Sequence, residues 1–297
     1  MAKKFILAAL MTSAMVVPAS AATVTIQDFV GKVTIVTGTD GLEVVREGKK
    51  PIIVGGSGDE IFIDGGLSQK QRNKACGGSG LSWNLDFGGR GSQGNTRLDD
   101  YPDLIISIPN GSDLSITESS LHLDSQVGLN EADLDVGGCF DLTIAAVDTL
   151  RLEKSGSGDI DIGSAGTLTI EKSGSGELEI DTTQTFDLNQ SGSGDVDVNR
   201  IDGPANIEKS GSGDIEIGSL NGSLKVEKSG SGDINVDGGT IASLSVETSG
   251  SGDIDINAAV DDVYVRASGS GDVYVKSISG RLDEATSGSG DFSRGDD

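Results

Sequence analysis

Histidine, cysteine and aromatic residues are scarce in this 297-residue chain, which has one histidine (His122), two cysteines (Cys76 and Cys139) and 4% Phe, Trp and Tyr. A single histidine leaves no Ser/His/Asp or Cys/His set from which to build a nucleophilic site, and His122, between Leu121 and Leu123, reads as an exposed strand residue. Basic residues are also few. Twenty-two lysines and arginines stand against 47 acidic residues, a formal net charge of −25. Nucleic acid and anionic lipid are polyanions and are poor partners for such a surface, whereas cations and basic surfaces suit it. Beyond the N-terminus no run is apolar enough to cross a membrane as a helix.

The N-terminus is the exception. Lys3 and Lys4 form a basic start, Phe5 to Val17 an apolar core, and Ala19-Ser20-Ala21 a small-x-small cleavage site. Residues 1–21 therefore read as a secretory signal peptide, and the mature chain is expected to be exported to the periplasm, cell surface or extracellular space, with no membrane span left. In that oxidising setting Cys76 and Cys139 are expected to form one disulfide closing a long loop.

What the chain has in abundance is glycine, 45 residues of it, in a repeat. Ser-Gly-Ser-Gly begins at positions 155, 173, 191, 210, 229, 249, 268 and 287, so the period is 18 to 20 residues. Thirteen positions of each repeat have fixed length, as in Leu-Thr-Ile-Glu-Lys-Ser-Gly-Ser-Gly-Glu-Leu-Glu-Ile at 168–180. The length variation lies in the remaining segment, which reads as a surface loop. Within the fixed part Ile160 and Ile162 share a face with Gly156 and Gly158, while Ser155, Ser157, Asp159 and Asp161 take the other. This period of two marks half-buried strands. Coils of this size cannot bury a core alone, but stacked coils bury each other's faces. The expected fold is all-β, a parallel β-solenoid of about 19-residue coils with two main strands per coil and a spacing of about 4.8 Å.

Upstream the apolar pairs Leu114/Ile116, Leu134/Val136 and Leu150/Leu152 continue the rhythm, which places the solenoid at 104–297. Residues 22–103 are expected to supply N-terminal strands, a cap and a Cys76-containing loop, with a turn at 37–41. A cap is needed because an open end exposes an unpaired strand edge.

The residue after each Ser-Gly-Ser-Gly is acidic in all eight copies: Asp159, Glu177, Asp195, Asp214, Asp233, Asp253, Asp272 and Asp291. A second column, two residues on, contains Asp161, Asp197 and Asp255. Stacked about 5 Å apart, like charges cost roughly 0.9 kcal/mol per neighbour pair even at the dielectric of water. One account recovers this locally, through backbone N–H groups at the turn and lysines at the same corner (Lys154, Lys172, Lys209, Lys228). The other binds calcium between Asp159, Asp161, Asp195, Asp197, Asp214, Asp233, Asp253, Asp255 and Asp272. The calcium-binding nonapeptide repeat requires aspartate where "SGSGDIDIG" has Ile160, so turn aspartates are the preferred reading. Uniform short coils also lack the singular site that a polysaccharide-active enzyme needs. Asn110 and Asn221, each before Gly-Ser, read as turn residues, and Arg294-Gly295-Asp296 as a coincidence of a Gly-Asp-rich chain.

The recurring "SGSGDI/V" and the stretch "DLIISIPNGSDLSI" at 103–116 resemble the Putative auto-transporter adhesin, head GIN domain family. The resemblance implies a bacterial parallel β-solenoid at the cell envelope with an adhesive role. No C-terminal membrane-barrel segment is recognisable, so self-transport is not expected. Together these readings predict a non-enzymatic exported scaffold contacting an envelope or surface ligand. The alternative is a calcium-binding module, and an enzyme acting on polysaccharides ranks below both.

Overall fold

Apolar residues alternating with polar ones make strands of nearly every segment in the computed structural model, which describes residues 5–6, 21–49, 51–75 and 100–295. The fold is all-β, a parallel β-solenoid with coils of about 19 residues and two main strands per coil. Two compact units are present: residues 1–148 with 155–158, and residues 149–154 with 159–297.

The first unit contains β1 (Phe5–Ile6), β2 (Thr23–Gln27), β3 (Val30–Thr37), β4 (Gly41–Arg46), β5 (Ile53–Gly55), β6 (Glu60–Asp64), α1 (Gln69–Ala75), β7 (Asp103–Ile108) and β8 (Ser112–Val136). Parallel stacking is already established here, since β2 lies between β6 and β8, and β3 pairs with β7 and the later part of β8. The order turns antiparallel at β4 on β7 and at β5 on β6 and β1. The expected turn at 37–41 joins β3 to β4, with Gly41 at φ 79°. Residues 76–99, including Cys76, and most of the signal-peptide segment lie outside the described residues.

Helix α1 is fixed by Arg72. Its guanidinium is buried and bonds to Asp28, Glu118 and the Leu67 carbonyl. Asp28 and Glu118 are the described non-glycine residues at positive φ, 51° and 47°. Such backbone costs of order 1 kcal/mol or more per residue and persists where contacts over-determine it. Here one buried cation holds both carboxylates. Leu67, Ala75 and Val30 pack together beneath, with Tyr101 at the margin. Burial beside Asp100 raises the Tyr101 hydroxyl pKa above its ordinary value.

Strands β9 (Cys139–Lys154) and β10 (Ser157–Lys172) run on into the second unit, followed by β11 (Leu178–Gln190), β12 (Val196–Ile201), β13 (Ala205–Lys209), β14 (Ile215–Lys228), β15 (Ile234–Val236), β16 (Gly239–Thr248), β17 (Ile254–Ala267), β18 (Val273–Ile278), β19 (Leu282–Thr286) and β20 (Phe292–Arg294). Equivalent residues of successive coils face each other in register, as in Leu178↔Val196, Val196↔Ile215 and Ile215↔Ile234. The opposite wall repeats this with Phe186↔Ala205 and Ala205↔Leu224. These inward side chains are buried while the intervening Asp, Glu, Asn and Lys face out, so each coil covers the apolar row of its neighbour.

The variable-length segment is not the loop expected from the sequence. It forms a third, shorter paired stretch through Thr183↔Ile201 and Ile201↔Leu220, whose side chains are all buried. One inward apolar or small residue per coil gives this side its own core contact. The longest copy absorbs its extra residue as a register shift on β16 opposite Gly222/Ser223. Asn221 likewise lies in β14, opposite Thr240, and not in a turn. Its amide donates to Asp202 at 3.1 Å, which ties it into the stack. Asn110 does occupy a turn, between β7 and β8, where Gly111 has φ 79°.

Candidate functional site

From Ser191 onward each Ser-Gly-Ser-Gly corner is stacked on the one before it by backbone hydrogen bonds. The Ser210 N–H donates to the Gln190 carbonyl at 2.9 Å and the Ser212 N–H to the Gly192 carbonyl at 3.3 Å, and the pattern recurs at Ser191, Ser229, Ser249, Ser268 and Ser287. The corners approach so closely that a Cβ on Gly211 would lie 1.7 Å from the Gly192 carbonyl oxygen. No side chain fits there, so the requirement for glycine is steric. The serine side chains stand outside, and in the second unit they line an open groove running from Ser173 to Ser289, whose walls are serine and glycine alone.

The first acidic column is a hydrogen-bond ladder. Asp195 Oδ1 accepts the backbone N–H of Asp214, Asp214 Oδ1 that of Asp233, Asp233 Oδ1 that of Asp253, and Asp253 Oδ1 that of Asp272, all at 2.8 Å. Asp159 and Asp272 do the same for Glu177 and Asp291 at 2.9 Å. A charged acceptor makes each of these bonds stronger than a neutral one. Glu177, one methylene longer, turns to Asp197. The hydrogen bond between the two carboxyls, with minor burial and the surrounding acids, raises the Glu177 pKa.

In the second acidic column Asp161, Asp197 and Asp255 lie in register through Glu179, Glu216 and Asn235. Burial first, then Asp253, Asp233 and Asp272, raise the Asp255 pKa. Among the described residues no three His, Cys, Asp or Glu side chains are grouped to hold a metal ion. The nine aspartates weighed as calcium ligands from the sequence are set in two outward rows.

The lysines are not interleaved with these acids on the surface. Lys154, Lys172, Lys209 and Lys228 point inward and are at most 2% exposed. Lys172 and Lys228 donate to the carbonyls of Gly194 and Gly252 in the following corner, and Lys209 to the Gly211 carbonyl of its own corner at 3.1 Å. Gln190, in the same column, also donates to Gly194. Burial pulls the Lys154 ammonium down to about 8, with Lys172 adding to the effect and Asp159 opposing it. Lys172 is likewise pulled down to about 8 by burial, against the field of Asp195 and with that of Lys209. Burial lowers Lys209 and Lys228 as well. The glycine corner therefore has two charged linings, ammonium groups on carbonyls inside and carboxylates on N–H groups outside.

The remaining singular residues are placed apart from this corner. His122 in β8 is partly buried, with Nδ1 3.2 Å from Asp141 Oδ2. Cys139 heads β9 and is 1% exposed. One aromatic face in the repeats, that of Tyr264, is covered by the Arg266 guanidinium at 4.0 Å from the ring centre.

Fold and corner together define the class: a parallel β-solenoid whose coils are joined by stacked serine–glycine–acid corners. A family model described as "Putative auto-transporter adhesin, head GIN domain" matches residues 93–217 and again 180–278, and the chain belongs to that family. No curated protein and no solved structure matches it.

Proposed function

We propose that the chain is a non-enzymatic, exported scaffold at the bacterial cell envelope that contacts a surface ligand through its repeated corner. The observation that carries this reading is the uniformity of the corner. Serine hydroxyls and acidic side chains recur at one phase of coil after coil, which suits a multivalent surface better than a single reacting site. Family membership supports an adhesive role, and the leader-like N-terminus supports export. Cys76 and Cys139 are proposed to pair on export.

The test combines localisation and adhesion. Cells expressing the chain are fractionated, protease accessibility of the chain is measured on intact cells, and their retention on abiotic and glycan-coated surfaces is compared with that of non-expressing cells. The proposal expects an exported, processed chain and greater retention. An uncleaved cytoplasmic chain, or equal retention, contradicts it. The second reading, a calcium-binding module, draws on the two rows of acidic side chains that stack coil on coil, as Asp214 does on Asp233 and Asp197 on Glu216.

A further inference from the structure

The core columns of the second unit end abruptly. On one wall the innermost positions run in register from Leu188 through Val226 to Val265, each fully buried, and the next residue is Glu284. On the other wall they run from Val198 through Val236 to Val275, and the next residue is Arg294. Both walls replace an aliphatic residue by a charged one in the same rung, β19 with β20.

That rung is stacked on its inner side. The Val263 N–H bonds to Arg281 O at 2.7 Å, Ser287 N–H to Ala267 O at 2.7 Å and Val273 N–H to Asp291 O at 2.9 Å. On its outer side neither β19 nor β20 pairs with another strand among the described residues. Every residue of β19 is exposed, and Leu282, the counterpart of buried Val263, is 38% exposed. Asp291 repeats the ladder position whose Oδ1 in the preceding corners accepts a following N–H. The rung thus offers what the next coil would need, namely a strand edge, a carboxylate acceptor and an apolar residue. A free edge of this kind is a template for another chain, and inward-pointing charge is a means of closing it.

We propose that the β19–β20 rung is a stacking surface closed to a second copy of this chain by Glu284 and Arg294. A copy stacked in register would strip water from both a carboxylate and a guanidinium held over aliphatic columns.

The test uses the full mature chain carrying Glu284→Val and Arg294→Val together, which continues both columns. Light scattering after size exclusion gives the mass, and far-ultraviolet dichroism with thermal unfolding reports the fold. The wild-type chain is expected to be a monomer and the double variant to at least double its mass with its strand signal intact. Asp283→Val is the control, because it removes a charge and adds the same side chain at an outward position of the same strand. It is expected to remain a monomer. The single variants Glu284→Val and Arg294→Val keep the test open if the double variant fails to fold, and each is expected to self-associate more than the control. Self-association of the wild type, a monomeric double variant, singles no different from the control, or equal assembly of Asp283→Val overturns the proposal.

Discussion

The Asp214 carboxylate accepts the backbone N–H of Asp233, 2.8 Å away in the following coil. The two residues hold the same position of successive repeats, so this bond converts a like-charge neighbour into a hydrogen-bond donor. Repeated along the column, it recovers locally the repulsion that the spacing imposes.

Asp233 therefore separates the acceptor role from the charge. Asp233→Ala leaves the Asp253 N–H without its side-chain acceptor and is expected to cost about 1–3 kcal/mol, the usual range for losing a hydrogen bond to a charged group. Asp233→Asn keeps an acceptor oxygen and removes one of the clustered charges, so its loss should be smaller. Urea unfolding of both variants checks the order, and equal losses would show that charge matters more than the bond.

The close approach of Gly211 to Gly192 makes a stronger prediction. Gly211→Ala places a methyl group against a backbone carbonyl that is itself pinned by stacking. A loss above about 3 kcal/mol is expected, as for other backbone and overpacking lesions. Gly58→Ala, where nothing among the described residues lies within 4 Å but φ is +66°, should cost only the left-handed backbone penalty of about 1 kcal/mol. Thermal unfolding of the two variants compares them directly.

Lys154 and Lys172 give the pH dependence. Their folded-state pKa values of about 8 lie below the ordinary 10.5, so between these limits the unfolded chain binds protons that the folded chain has shed. Their contribution to stability therefore rises with pH across that window, and below about 8 the penalty of the buried charge is fully present. Lys172→Met removes the titrating group, while Gln190 still serves the Gly194 carbonyl. The variant should be more stable than wild type at pH 7 and should gain less between pH 8 and 10 in urea titrations. An unchanged slope would contradict the buried-ammonium account.

Thr248 occupies the same interior column and is 6% exposed, and its Oγ1 meets no hydrogen-bond partner among the described residues. Thr248→Val should raise stability by about 1 kcal/mol, since an unsatisfied buried hydroxyl is replaced by an apolar isostere. A loss of stability on substitution would show that the hydroxyl is bonded in solution.

The solenoid was legible because two periods coincide in the sequence, about 19 residues between corners and two residues along each strand. Parity puts Lys172 on the face of Gly174 and Gly176, which is the inner one. The charge argued for the surface, and the acceptors that allow burial, the Gly194 and Gly252 carbonyls, belong to the following coil. Only the register between coils reveals them. The third paired stretch was hidden for a related reason, because Thr183, Ile201 and Leu220 are single inward residues with no alternating neighbours long enough to signal a strand. The Arg72 clamp joins Asp28 to Glu118 across long separations and leaves no local mark. Glu284 and Arg294 become informative only once their columns are aligned.

Thermal unfolding of the mature chain in calcium against magnesium at equal ionic strength tests most directly whether the acidic corner is structural. A ligand bound only by the folded chain raises its stability. The ladder predicts small, equal shifts with the two ions, from screening alone. A large calcium-specific rise, abolished by Asp214→Asn with Asp233→Asn, would contradict it and make the columns cation sites.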